Sequence, residues 1–217
     1  LGIEVINSIF NSKGLQAIFD SVSFNPAWDA NIKRIYQLKD TYIQTINPVI
    51  SFLQGHNNAL AKLICTGNYL PEAKRFEQVA DLDAMFGLMG VIDKSKHLAT
   101  LYLEDLGDFI TTCIDPHFGF SRYAERISRS AATFDAIEQA LAQPLSMIEQ
   151  WLIQHLEAHI TASNPTLVCI SVPFPGNLFA GFRCAQYIKQ HYPNIKIAMG
   201  GGYPNTELRQ LTDTRPF

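Results

Sequence analysis

Only two segments of this 217-residue chain read as β-strand, and a single helix-length segment joins them. Residues 166–171, Thr-Leu-Val-Cys-Ile-Ser, form a continuous apolar run of strand length. Such a run predicts a strand buried on both faces, as in a parallel sheet, with Cys169 as a small core residue. Ile195 to Met199 form the second run and lead directly into Gly200, Gly201 and Gly202. Between them lie the proline-rich loop 173–177 and an amphipathic stretch, 178–192, with Cys184, Ile188 and Tyr192 along one face. The order strand, loop, helix, turn, strand predicts adjacent parallel strands with a right-handed crossover. Two parallel strands alone do not make a stable sheet in water. Their neighbours must come from outside this sequence, from further strands in it that the pattern does not reveal, or from a second copy, so the unpaired sheet edge is a candidate dimer contact. The expectation is therefore a piece of a longer protein, and the ends agree: the chain opens at Leu1 and stops at Phe217 after a turn-rich stretch.

Residues 1–162 read as helix after helix, and 163–217 as the α/β half. Short apolar-periodic pieces cover 1–10 and 15–19, with Gly14 between them. A long pattern over 29–54 carries Ile32, Ile35, Leu38, Tyr42, Ile43 and Ile46 near helical spacing, with Pro48 expected to kink it. Further helices are expected at 57–65, ending near Gly67, and at 82–89, ending at Gly90. Others are expected at 96–114, at 133–141 after a Ser or Thr cap, and at 144–160 with Pro144 in the first turn. Tyr203-Pro204-Asn205 reads as a loop before a further helix over 206–211.

Composition excludes several classes. Apolar residues make up 47% and charged residues 17%, against disorder and against a coiled coil. The net charge of −3 lacks the basic excess of a general nucleic-acid binder. No window approaches the roughly 18 apolar residues of a membrane span, and no signal peptide is read at the start. The cysteines at 65, 113, 169 and 184 are too far apart for a zinc ribbon, a redox pair or a cluster loop. The chain reads as reduced and cytoplasmic.

Two loops are candidates for chemistry. Gly200-Gly201-Gly202-Tyr203-Pro204-Asn205 leaves the second strand, and Ser171-Val172-Pro173-Phe174-Pro175-Gly176-Asn177 leaves the first. In an open α/β sheet, ligands sit outside the carboxyl ends of the strands, so both loops face one crevice. Three glycines let backbone approach a ligand closely; the competing reading is a tight turn needing positive φ. Ser171 can donate and accept a hydrogen bond, and Asn177 is placed to cap the next helix; the competing reading is a plain connection. His155 and His159 share a helix face and read as solvated surface. Arg122 and Arg126 also share a face, able to meet a phosphate but read first as a helix start with ion pairs. The aromatics Phe10, Phe19, Phe24, Trp28 and Tyr36 read as core.

Residues 166–209, TLVCISVPFPGNLFAGFRCAQYIKQHYPNIKIAMGGGYPNTELR, resemble the closing half of a cobalamin-binding domain of the kind that precedes the radical S-adenosylmethionine domain in cobalamin-dependent radical enzymes. Residues 118–135, FGFSRYAERISRSAATFD, look like the helical region of that subgroup. The resemblance implies a partial Rossmann-like (flavodoxin-like) parallel sheet unit, with a large all-helical region at 1–162 inserted in, or leading, the cobalamin domain. It implies cobalamin contacts at Ser171, Val172, Pro173, Gly200, Gly201, Gly202, Tyr203 and Asn205, the serine and glycines lying at the nucleotide tail. Two departures stand out. The serine sits in Ser-Val-Pro where the family has Ser-x-Leu or Ser-x-Thr. The Asp-x-His-x-x-Gly signature is absent, since Asp115-Pro116-His117-Phe118-Gly119 is one residue short and lies in the helical region.

The resemblance further implies a downstream radical S-adenosylmethionine domain of the same polypeptide as partner. The [4Fe–4S] cluster and S-adenosylmethionine would be held there, since the Cys-x-x-x-Cys-x-x-Cys loop is not in this sequence. No catalytic residue and no metal ligand is assigned within the chain, and no nucleic acid or membrane partner is expected. Two other readings stay open: a helical protein-interaction module with a vestigial α/β half, and a domain that binds a nucleotide or phosphorylated ligand at the glycine turn.

Overall fold

The computed structural model describes residues 1–81, 90–120, 134–209, 212–213 and 215. Its helices are α1 (Gly2–Ile9), α2 (Ser12–Asp20), α3 (Ala30–Gln37), α4 (Lys39–Leu53), α5 (Leu60–Cys65), α6 (Val91–Cys113), α7 (Asp135–Leu141), α8 (Met147–Ser163), α9 (Leu178–His191) and α10 (Gly202–Thr206). Two 3₁₀ turns, Lys74–Asp81 and Pro175–Asn177, and two strands, β1 (Leu167–Ser171) and β2 (Lys196–Gly200), complete the described elements. The result is a mostly helical protein with one small parallel sheet. No described helix is long and apolar enough to cross a membrane. The expected helix at 82–89 and the arginine pair at 122 and 126 lie outside the described residues.

The chain divides into two compact units, 6–116 and 1–5 with 117–217. In the first, α2 packs on α4, while α3, α5 and the first 3₁₀ turn pack on α6. Leu15, Ile18, Ile35, Ile46, Phe52 and Phe109 are fully buried there. The expected single helix over 29–54 is two helices. The break falls at Leu38 (φ −92°, ψ 7°), and Pro48 sits inside an unbroken α4. Resetting the helix at Leu38 lets α3 bury Ile32 and Ile35 while α4 buries Tyr42, Ile46, Val49 and Phe52. Phe10 and Phe19 are buried as expected, whereas Phe24 remains 46% exposed at the rim of the aromatic cluster it forms with Trp28 and Tyr36.

In the second unit α8 and α7 pack on α9. The texture change at 162–163 therefore falls inside this unit. Helix α8 starts later than expected. Ser146 caps it, its hydroxyl accepting from the Glu149 amide while Glu149 Oε2 accepts from the Ser146 amide at 2.7 Å. This Ser-x-x-Glu capping box is legible in the sequence and displaces Pro144 from the first turn. The Phe134 N-cap of α7 makes no side-chain cap, and Thr133 lies outside the described residues.

The two strands pair in parallel, Leu167 opposite Lys196 through Ser171 opposite Gly200, as the β-α-β pattern predicts. Their burial is not as predicted. Helix α9 covers one face, close enough that a Cβ at Gly181 would stand 3.3 Å from Ile170 Cγ2 and 3.5 Å from Met199 Cε. On the opposite face Leu167 is 51% exposed and Cys169, Ser171 and Ala198 are exposed. Cys169 is thus no core residue. A parallel sheet buries both faces only when helices lie on both sides, and among the described residues the crossover helix α9 covers one.

Candidate functional site

The crevice expected from the sequence would lie where β1 and β2 end side by side. The register sets Ser171 directly opposite Gly200, so the loops that follow start about one strand spacing apart, roughly 5 Å. Past the strands the pairing continues by a different route. The Val172 amide donates to the Gly200 carbonyl at 2.7 Å, and the Tyr203 amide donates to the Val172 carbonyl at 3.1 Å. Val172 is fully buried among Ile137, Leu178, Phe179 and Phe182, with Tyr203 packed at the edge of that cluster. Both backbone groups and the side chain of Val172 are therefore engaged within the chain.

The three glycines do different things. Gly201 has φ +110°, and a Cβ there would fall 2.7 Å from the Val172 carbonyl oxygen and 2.8 Å from its nitrogen. It is glycine because the turn needs positive φ and because the backbone of the neighbouring loop occupies its side-chain space. Gly202 is less crowded, with only the Pro173 carbonyl oxygen at 3.2 Å from a Cβ. A Cβ at Gly200 would meet nothing within 4 Å. Side-chain space is thus left at Gly200, beside the exposed Ser171, while the Gly200 carbonyl is taken by the Val172 amide. The triplet serves a tight turn at its middle residue and leaves space at its first.

Tyr203, Pro204 and Asn205 do not form a loop. They belong to the short helix α10, closed by Asn205 and Glu207 amides donating to the Gly201 and Tyr203 carbonyls. Asn205 is exposed, and burial raises the Tyr203 phenol above its ordinary pKa, with Glu207 adding to the shift. Asn177 occupies the N-cap position of α9 without a side-chain cap, because the 3₁₀ turn Pro175–Asn177 already precedes the helix.

Below the crevice lies a polar latch that sequence reasoning missed. Arg183 of α9 donates through Nε to Glu149 Oε1 at 2.8 Å, through Nη1 to the Leu141 carbonyl at 2.6 Å, and through Nη2 to the Ala140 carbonyl at 3.0 Å. Both side chains of the ion pair are about 5% exposed or less. One guanidinium thus joins the end of α7, the start of α8 and the middle of α9. The only signal in the sequence was a lone arginine on the apolar face of 178–192, which reads as readily as a surface residue. Across the first turn of α9, the His117 ring lies 6.4 Å from that of Phe179, which brings this histidine into the same unit as the crevice.

Other polar features lead elsewhere. His159 pairs with Glu4 at 2.8 Å on an exposed face, holding the Glu4 carboxyl below its usual range. No three His, Cys, Asp or Glu side chains gather into a metal-holding group among the described residues. In the helical unit a groove of about 980 Å³ interleaves Arg34 and Lys74 with Asp29, Glu72, Glu77 and Asp108, so it selects no one ligand charge. No family model matches the chain, nor does any curated protein or solved structure.

Proposed function

We propose that the unit at 117–217 is a cobalamin-binding module, the closing half of a Rossmann-like (flavodoxin-like) domain that positions the corrin for a downstream radical S-adenosylmethionine domain. The observation that carries this reading is the pairing of Ser171 with Gly200 at the carboxyl ends of two parallel strands, with open space where a Cβ of Gly200 would stand. Ligands of open α/β sheets bind at that end of the strands. Ser171 supplies an exposed hydroxyl, and Gly200 with Gly202 supply backbone that a sugar-phosphate tail can approach. Gly201 sets the turn that presents them, and Val172 anchors the loop in the apolar cluster. Tyr203 closes the crevice wall, and Asn205 lies at its solvent side on α10. The uncovered sheet face agrees with a module completed by further segments of its polypeptide. Bound there, cobalamin supplies the cobalt chemistry of methyl transfer or radical reaction; the residues described here bind, orient and exclude water. The cluster and S-adenosylmethionine belong to the partner domain, in an enzyme of the methyltransferase-like kind working in the cytoplasm.

The test is titration of the chain with cyanocobalamin, followed by visible absorbance, with circular dichroism as the check on folding. Gly200→Val places a side chain in open space, so it should leave the fold intact and weaken binding at least tenfold. Gly201→Val does not separate the two effects, because its side chain meets the Val172 backbone and strains the turn with or without ligand. His155→Ala should bind as the parent does. Parent-like binding by folded Gly200→Val removes the crevice from the site.

A further inference from the structure

We propose that Asp105 is a proton-controlled fastener: uncharged, it holds residues 72–77 against α6, and ionised, it releases them and opens the groove of about 980 Å³ that they wall. The device belongs to the unit at 6–116 and is independent of the crevice reading. Asp105 is fully buried on α6. Its Oδ1 accepts the Arg75 amide at 3.3 Å, where the 3₁₀ turn Lys74–Asp81 begins, while its Oδ2 is buried with no hydrogen-bond partner. The guanidinium of the same arginine is spent elsewhere. It donates to the two Asp108 oxygens at 2.8 and 2.9 Å and to Glu104 at 3.3 Å. Asp105 is left with amide donors and, among the described residues, no ion pair.

The other polar fastenings of the segment face water. The Lys74 amide donates to Asn31 Oδ1 at 3.0 Å at an exposed position, and both members of the Arg75–Asp108 pair are more than a third exposed. Pairs of that kind hold weakly. Ala73 and Phe76 are buried, which draws the segment back once the charge is gone. Burial pushes the Asp105 carboxyl up to about 6; the Arg75 and Ala73 amides oppose the rise, Asp108 adds to it and the Arg75 guanidinium lowers it. From α4 the Tyr42 phenol lies within electrostatic reach, α3 brings Arg34, which acts on that phenol, and α5 brings the exposed Lys62. Once released, the carboxyl meets water and titrates near its ordinary value of about 4. A proton therefore favours the closed segment, and its loss favours the open one.

Amide hydrogen exchange of the full chain, followed by NMR and corrected for the intrinsic effect of pH, reads the opening. Between pH 4 and pH 7.5 the Ala73 and Arg75 amides should lose about fiftyfold in protection, levelling off above pH 6. They should exchange faster than the core amides of Ile46 and Val49 throughout. Asp105→Asn keeps an acceptor and cannot ionise, so its profile should be flat. Asp108→Asn removes the neighbouring carboxylate and should keep the parent's profile, a test that stands even if Asp105→Asn does not fold. Protection that does not change with pH in the parent overturns the proposal. So does a pH dependence that survives Asp105→Asn or disappears in Asp108→Asn, because another group then carries it. Exchange of Ala73 and Arg75 at the rate of Ile46 and Val49 also overturns it, since the opening is then that of the whole unit.

Discussion

The two units solve the burial problem in opposite ways. The unit at 6–116 closes its core with apolar side chains from helices on every side, and its awkward groups are internal. Among the described residues, Tyr42 Oη and Asp105 Oδ2 are buried without a hydrogen-bond partner, and burial raises the phenols of Tyr42 and Tyr102. The α/β unit has a small apolar cluster around Val172 and Phe179, a fully hydrogen-bonded ion pair beneath it, and an uncovered sheet face. A closed core can be self-sufficient. The α/β unit instead leaves side-chain space at Gly200, an exposed aromatic at Phe174 and one uncovered strand face. Unpartnered polar atoms lie inside one unit, and uncovered apolar surface lies at the edge of the other.

The largest expected effect probes the latch. Arg183→Ala leaves the Glu149 carboxylate buried without its cationic partner, so the α/β unit should lose about 3–5 kcal/mol. The chain has two tryptophans, Trp28 in the helical unit and Trp151 in the α/β unit, so each unit can be followed separately. In a Trp28→Phe background, urea denaturation read at Trp151 should show the loss; in a Trp151→Phe background, Trp28 should barely register it. Equal shifts at both probes would break the comparison, because the units would then unfold as one.

Asp105 tests the other side. Burial pushes its carboxyl up to about 6, against the opposing amides of Arg75 and Ala73. The folded unit therefore holds a proton that the unfolded chain takes up only near 4. Its contribution to stability is full below about pH 4 and is lost as pH rises through about 6. Asp105→Asn keeps an acceptor for the amides and removes the charge. At pH 7.5 it should stabilise the helical unit by on the order of 2 kcal/mol, an advantage that vanishes near pH 4. Trp28 fluorescence is the readout, and a variant less stable than the parent at pH 7.5 would show that Asp105 is held as a paired carboxylate.

The smallest effect sharpens the contrast within the α/β unit. Ser146→Ala removes one half of the capping box and should cost about 1 kcal/mol at Trp151, against the several lost at Arg183. A loss as large as that of Arg183→Ala would mean that the cap, through Glu149, holds the latch in place.

Periodicity and residue type were enough to read the helical character of the described part of 1–162, the two strands, their parallel order and the meeting of Ser171 with Gly200. Each of these depends on neighbours close in sequence or on the short reach of one crossover. The same local signals erred where a distant partner decides. The apolar run 167–171 is half-buried on one face, where α9 lies against it, and exposed on the other among the described residues. Leu38, not Pro48, ends a helix because α3 and α4 bury different stripes. Gly201 is the glycine the fold requires because the Val172 backbone, 29 residues earlier, fills its side-chain space, while Gly200 is the one left open. Arg183 is a buried latch because Glu149 and the carbonyls of 140 and 141 converge on it from some 34 to 43 residues away. Local pattern determines which elements form; which of their faces are covered, and which glycine faces solvent, is settled only when remote segments compete for the same space.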